Sequence, residues 1–152
     1  MKRLVFVLAA MLVSACNLNT DAPNEPSDPT KETFASSLNV DIASMTKTPN
    51  GAYSRDLVVG NGDAISGQPI VVISYIEFLK DGTIVGTVSS AIQELNRMIP
   101  GVQEAVQGMK INGERLIVVP SALGYGNSTT VPGVPPNSTL VFDLIYKGLA
   151  PQ

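Results

Sequence analysis

The chain offers few side chains for covalent or metal chemistry. Its 152 residues include no His, no Trp and a single Cys. The lack of His excludes Ser-His-Asp and Cys-His catalysis and imidazole metal sites. A single Cys forms no internal disulfide and no thiolate zinc site. Acid–base chemistry would rest on Asp, Glu, Lys or Tyr, and the sequence predicts no metal and no cofactor.

The charge balance argues against nucleic acid as a partner. The chain has 10 basic and 13 acidic residues, for a formal net charge of −3. No basic cluster is present that could follow a phosphate backbone. Two carboxylates, Glu77 and Asp143, fall within predicted strands. We expect them to be structural or sheet-surface charges and not a catalytic pair.

The first residues have the pattern of a targeting signal. Lys2 and Arg3 precede an apolar run of ten residues, Leu4–Val13. This run is too short to span a bilayer about 30 Å thick and fits a secretory signal. The sequence Val13–Cys16 resembles a bacterial lipobox, which implies cleavage after residue 15 and lipidation of Cys16. The alternative is a plain signal peptide, with Cys16 incidental.

These features predict a lipid-anchored protein of the bacterial cell envelope. Asn17 after the cysteine resembles the outer-membrane sorting pattern, which would place the protein on the periplasmic face. Residues 16–32 are polar and Pro-rich, so we expect a disordered tether behind the lipidated cysteine. Residues 33–51 are expected to be an N-terminal extension docked on a folded domain of residues 52–152.

That domain is dominated by strand signals. Strands are predicted at 56–59, 70–79, 83–88, 115–119 and 139–147, and Asp81-Gly82 predicts a hairpin turn. One helix is predicted at 100–107, because apolar residues recur there at spacings of three and four. Pro100 suits its first position and Gly108 its C-terminal cap. The pattern is typical of an α+β domain with the helix packed on a sheet.

Several short motifs then follow one another in order. They are Ser74-Tyr75, Asp81-Gly82-Thr83, Met98-Ile99-Pro100-Gly101, Gly108-Met109-Lys110, Pro120–Gly126 and Val134–Leu144. In order and spacing, the stretch Ala52–Leu149 resembles the FKBP-type peptidyl-prolyl cis-trans isomerases. The run Pro135–Asp143 is the most specific part. The resemblance implies a twisted antiparallel β-sheet wrapped around one short α-helix, which agrees with the pattern of elements.

The resemblance also implies an apolar cleft that binds proline-containing polypeptides. By position, Tyr75 and Phe142 would form its wall, the backbone N–H of Ile99 would hold the substrate, and the Tyr125 hydroxyl would reach a peptide carbonyl. These four are the predicted catalytic residues. The other predicted substrate contacts are Val85, Met98, Val102 and Val134. Isomerisation breaks no covalent bond and needs no nucleophile, so the lack of His is no obstacle.

Three departures weaken the resemblance. The family usually has Phe-Asp where this chain has Val85 and Gly86, and it often has an aromatic residue where this chain has Val102. The segment 85–101 is also shorter than in small family members. We therefore expect a shallower, less aromatic cleft and weak isomerase activity on Xaa-Pro bonds of exported proteins. The alternative is a non-catalytic proline-binding or chaperone module. Either form is expected to be a monomer.

Overall fold

The structure, a computed structural model, describes residues 25–151. The strands are β1 (Thr46–Lys47), β2 (Tyr53–Val58), β3 (Asn61–Ala64), β4 (Ile70–Leu79), β5 (Ile84–Glu94), β6 (Lys110–Ile111), β7 (Glu114–Val119) and β8 (Leu140–Leu149), and the α-helix is α1 (Pro100–Ala105). Six strands form one antiparallel sheet in the order β1-β2-β7-β8-β4-β5. Strands β3 and β6 pair separately. This is the predicted α+β architecture.

The hairpin of β4 and β5 forms one end of the sheet. Gly82 has a φ of 89°, which the tight turn requires, and the Asp81 side chain accepts a hydrogen bond from the backbone N–H of Thr83. The strand at 70–79 is observed as predicted. Strand β5 continues to Glu94, beyond the predicted end at residue 88, because β4 supplies a pairing partner along its whole length. Such tertiary pairing overrides the weak strand propensity of Ser89 and Ser90.

Helix α1 packs against β7 on one face of the sheet. Its buried side includes Val102 and Ala105, and the same apolar surface continues through Val106 and Met109. The helix is shorter than predicted, ending at Ala105. A Cβ atom at Gly101 would lie 2.5 Å from Cγ1 of Val119, so the helix approaches the strand to a distance that only glycine permits.

Gly101→Ala is therefore expected to destabilise the protein. The added methyl group must displace a buried valine, at a cost of about 1–3 kcal/mol for an overpacked core. Denaturant unfolding would show a lower midpoint. As a control, the same substitution should cost less in a Val119→Ala background, which removes the opposing methyl groups. An unchanged midpoint for Gly101→Ala would contradict the close approach.

The N-terminal segment covers the other face of the sheet. Leu38 and Met45 are buried there with Tyr53, Leu116 and Val118. We call this group of residues, together with Val141, Phe34 and Phe78, the outer cluster. Two apolar clusters therefore lie on opposite faces of the sheet, one under the N-terminal segment and one under α1.

The described part of the predicted tether is not disordered. The backbone N–H of Ser27 donates to Oγ of Ser121 at 2.8 Å, and the N–H of Ser121 donates to Oγ of Ser27 at 2.7 Å. Pro29 is buried, and Lys80 forms an ion pair with Glu32. The expectation is therefore wrong for residues 27–32, where bonds between backbone N–H groups and serine hydroxyls, a buried proline and an ion pair fix the segment. Residues 16–24 lie outside the described part of the chain.

Two carboxylates lie together on the outer face, Glu114 at the start of β7 and Asp143 within β8. Burial raises the pKa of Glu114, and the neighbouring Asp143 carboxylate raises it further. The register pairs Glu114 with Ile145 and Leu116 with Asp143, so the two acids are diagonal neighbours on one face. Like charges placed this way destabilise a sheet.

Glu114→Gln is expected to raise the free energy of unfolding at pH 7 by about 0.5 kcal/mol. A carboxyl group whose pKa is higher in the folded than in the unfolded protein stabilises the fold most at pH values below its pKa in the unfolded protein. That contribution is lost as the pH rises through its pKa in the folded protein. The gain should therefore vanish near pH 3.5, where both proteins carry a neutral side chain. Urea unfolding at the two pH values measures this difference. A Gln variant less stable at pH 7 would contradict the repulsion.

Candidate functional site

The apolar cluster under α1 contains every predicted cleft residue. We call it the cleft cluster. Its buried members include Val102, Val134 and Phe142. The half-buried side chains packed against it include Tyr75, Val85, Met98, Ile99 and Tyr125. The buried members form a floor and the half-buried ones a rim that a peptide could contact. The structure thus brings the predicted residues together, and their catalytic and binding roles stay predictions.

Two neighbouring strands position the aromatic wall. Tyr75 lies on β4 and Phe142 on β8, and their ring centroids are 5.7 Å apart at an interplanar angle of 62°. This edge-to-face contact is a favoured geometry for aromatic pairs. Phe142 is only 2% exposed, whereas Tyr75 is half-buried. The exposed part of this wall is therefore mainly the Tyr75 side chain, and the buried Phe142 ring packs against it.

The start of α1 supplies a backbone donor. The carbonyl of Ile99 accepts hydrogen bonds from the N–H groups of Val102 and Gln103, so this residue caps the helix. Within residues 25–151 the N–H of Ile99 itself donates no hydrogen bond. The carbonyl of Met98 accepts a bond from the Gln103 side chain, which fixes the turn before the helix. A free donor beside apolar side chains can bind a peptide carbonyl.

The loop before β8 carries Tyr125. A short 3-10 turn, Ser121–Leu123, precedes it, and the N–H of Gly126 donates back to the Ser121 carbonyl at 2.9 Å. The N–H of Asn137 donates to the carbonyl of Gly126 at 2.7 Å. These bonds tie the loop into a defined shape. Burial, together with the Glu77 carboxylate, raises the pKa of Tyr125 to about 12, so its hydroxyl keeps its proton at neutral pH.

Glu77 is the site residue that the sequence interpretation missed. It is 6% exposed, and it lies two residues after Tyr75 on β4, hence on the same face of the sheet. The Tyr125 hydroxyl lies within hydrogen-bonding reach of its carboxyl group. Glu77 is therefore not a sheet-surface charge, because burial places it beside the cleft cluster, and the alternative of a structural charge stays a prediction. Asp143 instead faces Glu114 on the outer face.

The electrostatics of this buried acid follow from its surroundings. Burial raises the pKa of Glu77, and the hydrogen bond with Tyr125 opposes that shift. Burial and the Glu77 charge likewise raise the pKa of Tyr75. The spacing of two residues between Tyr75 and Glu77 on β4 is the sequence signal that indicates this position for Glu77, since residues two apart on a strand share a face.

The geometry describes an apolar surface with a tyrosine hydroxyl and a backbone N–H beside it. Apolar side chains can take a proline ring, and the Tyr125 hydroxyl and the Ile99 N–H can hold the carbonyls beside it. Among residues 25–151 there is no group of His, Cys, Asp or Glu side chains that could bind a metal ion. Such a site suits a reaction that twists a bond and does not break one.

The comparisons identify the family. Residues 60–145 match the sequence model of the FKBP-type peptidyl-prolyl cis-trans isomerases. This match covers more than half of the chain, and the chain belongs to that family. FkpA from Escherichia coli, a solved structure, is 32% identical, with a TM-score of 0.64 over 70% of this chain and 53% of FkpA. The structure of AtFKBP13 is 24% identical, with a TM-score of 0.62, and the match covers 70% of this chain and 99% of the AtFKBP13 chain. At this identity the likeness supports the fold alone. The predicted fold and family are confirmed.

The curated relatives are longer proteins. FK506-binding protein 4 of Dictyostelium discoideum is 33% identical over 109 residues, which are 67% of this chain and 29% of that protein. The 46 kDa FK506-binding nuclear protein of Spodoptera frugiperda is 33% identical over 105 residues, which are 65% of this chain and 26% of that protein. The chain spans less than a third of the length of these relatives.

The predicted location in a bacterial cell envelope is wrong by this comparison. The curated relatives come from an amoeba, from fungi and from Spodoptera frugiperda, whose protein is named as nuclear. Cys16 and the signal-like residues 1–15 lie outside the described part of the chain, so the lipidation of Cys16 stays a prediction from the sequence. Within residues 25–151, no helix is both long and apolar enough to cross a membrane.

Proposed function

We propose that the chain catalyses cis-trans isomerisation of Xaa-Pro bonds in polypeptides, with the cleft cluster as its site. The observation that carries this proposal is the meeting of Tyr75, Ile99, Tyr125 and Phe142 around one apolar surface. Family membership supports the general activity. The substrate is proposed as a proline-containing segment of an extended or unfolded polypeptide, because partly exposed side chains rim the apolar surface.

The reaction needs only selective binding of the twisted bond. Rotation about a peptide bond crosses a barrier of about 18–20 kcal/mol, and uncatalysed Xaa-Pro exchange takes tens to hundreds of seconds. The planar amide is strongly dipolar because of its resonance, and twisting reduces that dipole. A dry apolar cleft therefore disfavours the planar form relative to the twisted one. Each tenfold gain in rate requires about 1.4 kcal/mol of such selectivity.

Each cleft residue then has a physical role. The proline ring lies against Tyr75 and Ile99 at the rim, over a floor that includes Val102 and Phe142. The Ile99 N–H and the Tyr125 hydroxyl bind carbonyls on either side of the proline. Holding those two carbonyls fixes the flanking chain, so that rotation takes place only at the bond between them.

The remaining contacts and the assembly belong to the same proposal. Met98, Val85 and Val134 extend the apolar surface along the flanking residues of the substrate. Residues 33–51 form part of the folded unit through the outer cluster, and residues 52–152 form the isomerase domain. The chain acts as a monomer, since a single cleft cluster contains all the residues that the mechanism uses.

The test is a relaxation experiment with the full chain. An Xaa-Pro peptide is enriched in its cis isomer by a solvent jump, and its return to equilibrium is followed with increasing protein. The proposal predicts a rate that rises in proportion to protein concentration. No acceleration by a folded chain that still binds the peptide would contradict it and would favour a non-catalytic proline-binding module.

A further inference from the structure

One buried carboxylate of the cleft has no assigned role. Glu77 is 6% exposed, and its Oε1 atom has no hydrogen-bond partner among the residues that the structure describes. A buried polar atom without a partner costs free energy that the fold does not recover. A bound molecule or a reaction that uses such an atom is one explanation for its retention. The position of Glu77 therefore calls for a functional explanation.

The surroundings of Glu77 place it among the cleft residues. From its place on β4, Glu77 pairs with Phe142 on β8 and with Gly86 on β5. It shares the sheet face of Tyr75, and the Tyr125 hydroxyl lies within hydrogen-bonding reach of its carboxyl group. Three of the four proposed catalytic residues thus adjoin this one acid.

Gly86 provides the space for the carboxyl group. A Cβ atom at Gly86 would lie 2.9 Å from Oε2 of Glu77 and 3.4 Å from its Cβ. The three heavy atoms nearest to that added atom all belong to Glu77. A side chain at residue 86 and the Glu77 carboxyl group would therefore compete for one volume. In the family pattern residue 86 is the acidic position, and in this chain the acid enters the same volume from the facing strand.

We propose that Glu77 supplies the acidic group of the isomerase cleft and is a catalytic residue of this chain. This role rests on the proposed isomerase function. When the Tyr125 hydroxyl turns to a peptide carbonyl, the Glu77 carboxylate is released towards the substrate. A negative charge beside the Xaa-Pro carbonyl repels the planar amide, whose oxygen carries more negative charge, and favours the twisted form, whose carbonyl carbon is more electrophilic. The expectation of a weak enzyme then loses its basis, because the missing acid has a replacement.

The ionised form of Glu77 is the active one, which gives a pH dependence. Activity should rise with pH through the raised pKa of Glu77, above the range of an ordinary glutamate. The titratable groups that face it are Tyr75 on its own strand and Tyr125 on the loop, and both keep their protons well above neutral pH. Its partners on β5 and β8, Gly86 and Phe142, do not titrate.

The deciding variants are Glu77→Gln and the double variant Glu77→Ala/Gly86→Asp, tested in the relaxation assay with the full chain. Glu77→Gln should lower the rate about tenfold and abolish the acid limb of the pH profile. At neutral pH it should also raise the denaturant midpoint, since a buried charge is removed. If Glu77 had only a structural role, its replacement would not lower the rate while raising the stability. The double variant returns a carboxylate to the vacated volume and should recover the rate to within about threefold.

Glu114→Gln is the matched control, because it removes a carboxylate of raised pKa from the outer face. It should leave the rate and its pH profile unchanged. An active wild-type chain whose Glu77→Gln variant keeps the full rate and the acid limb would overturn the role of Glu77 and leave the isomerase function standing. A folded wild-type chain that fails to accelerate the reaction would overturn the isomerase function, and this role with it.

Discussion

Tyr125→Phe is expected to slow isomerisation by about ten- to a hundredfold. The substitution removes one hydroxyl group and keeps the ring, so the apolar rim of the cleft is preserved. A lost hydrogen bond to a buried partner costs about 1–3 kcal/mol, which corresponds to that range of rates. The measurement is kcat/KM for an Xaa-Pro peptide, with the denaturant midpoint recorded for each protein.

The control for this prediction is a second buried tyrosine. Tyr53 is 7% exposed and belongs to the outer cluster, on the face opposite the cleft. Tyr53→Phe should leave kcat/KM unchanged. Equal rates for wild-type and Tyr125→Phe proteins would show that the hydroxyl does not hold the substrate, and the assignment of Tyr125 would be withdrawn.

Phe142→Ala is expected to have the largest effect on stability, about 3–5 kcal/mol. The side chain is 2% exposed, packs edge-to-face with Tyr75 and lies at the centre of the cleft cluster. Domains of this size have total stabilities of about 5–15 kcal/mol, so the variant would lose a large part of its margin. Urea unfolding measures the loss.

Phe142→Leu separates the cleft role from the stability role, because it keeps most of the buried volume. It should remain folded and lose about tenfold in kcat/KM, since Tyr75 loses its supporting ring. Phe78→Leu is the matched control on the outer face of the same sheet. If both leucine variants kept the wild-type rate per folded molecule, Phe142 would be a core residue alone.

Most of the architecture followed from the sequence because its signals are local. The β-branched run of β4 and the Asp81-Gly82 turn predict the central hairpin, and Pro100 and Gly108 bracket the helix. The length of β5 could not be predicted, since its second half is a strand only because β4 lies beside it. The docking of residues 27–32 depends on the distant Ser121, which local composition does not reveal.

The site was predictable where it follows the family pattern and not where the chain departs from it. Tyr75, Ile99, Tyr125 and Phe142 meet in the structure as their motifs implied. The sequence does not point to Glu77, because a glutamate in a strand is usually a surface charge. Its burial depends on the open space that Gly86 leaves across the hairpin, and that cross-strand relation becomes visible only when the register is known.

The proposed activity requires that the cleft itself lower the barrier to Xaa-Pro rotation. The most direct measurement is NMR exchange spectroscopy on a proline peptide at equilibrium, with the full chain present at a small fraction of the peptide concentration. We expect exchange cross-peaks between the cis and trans resonances that grow with added protein and are much weaker with the Tyr125→Phe variant. Peptide resonances that shift on binding to the folded chain, with no exchange between the isomers, would contradict it.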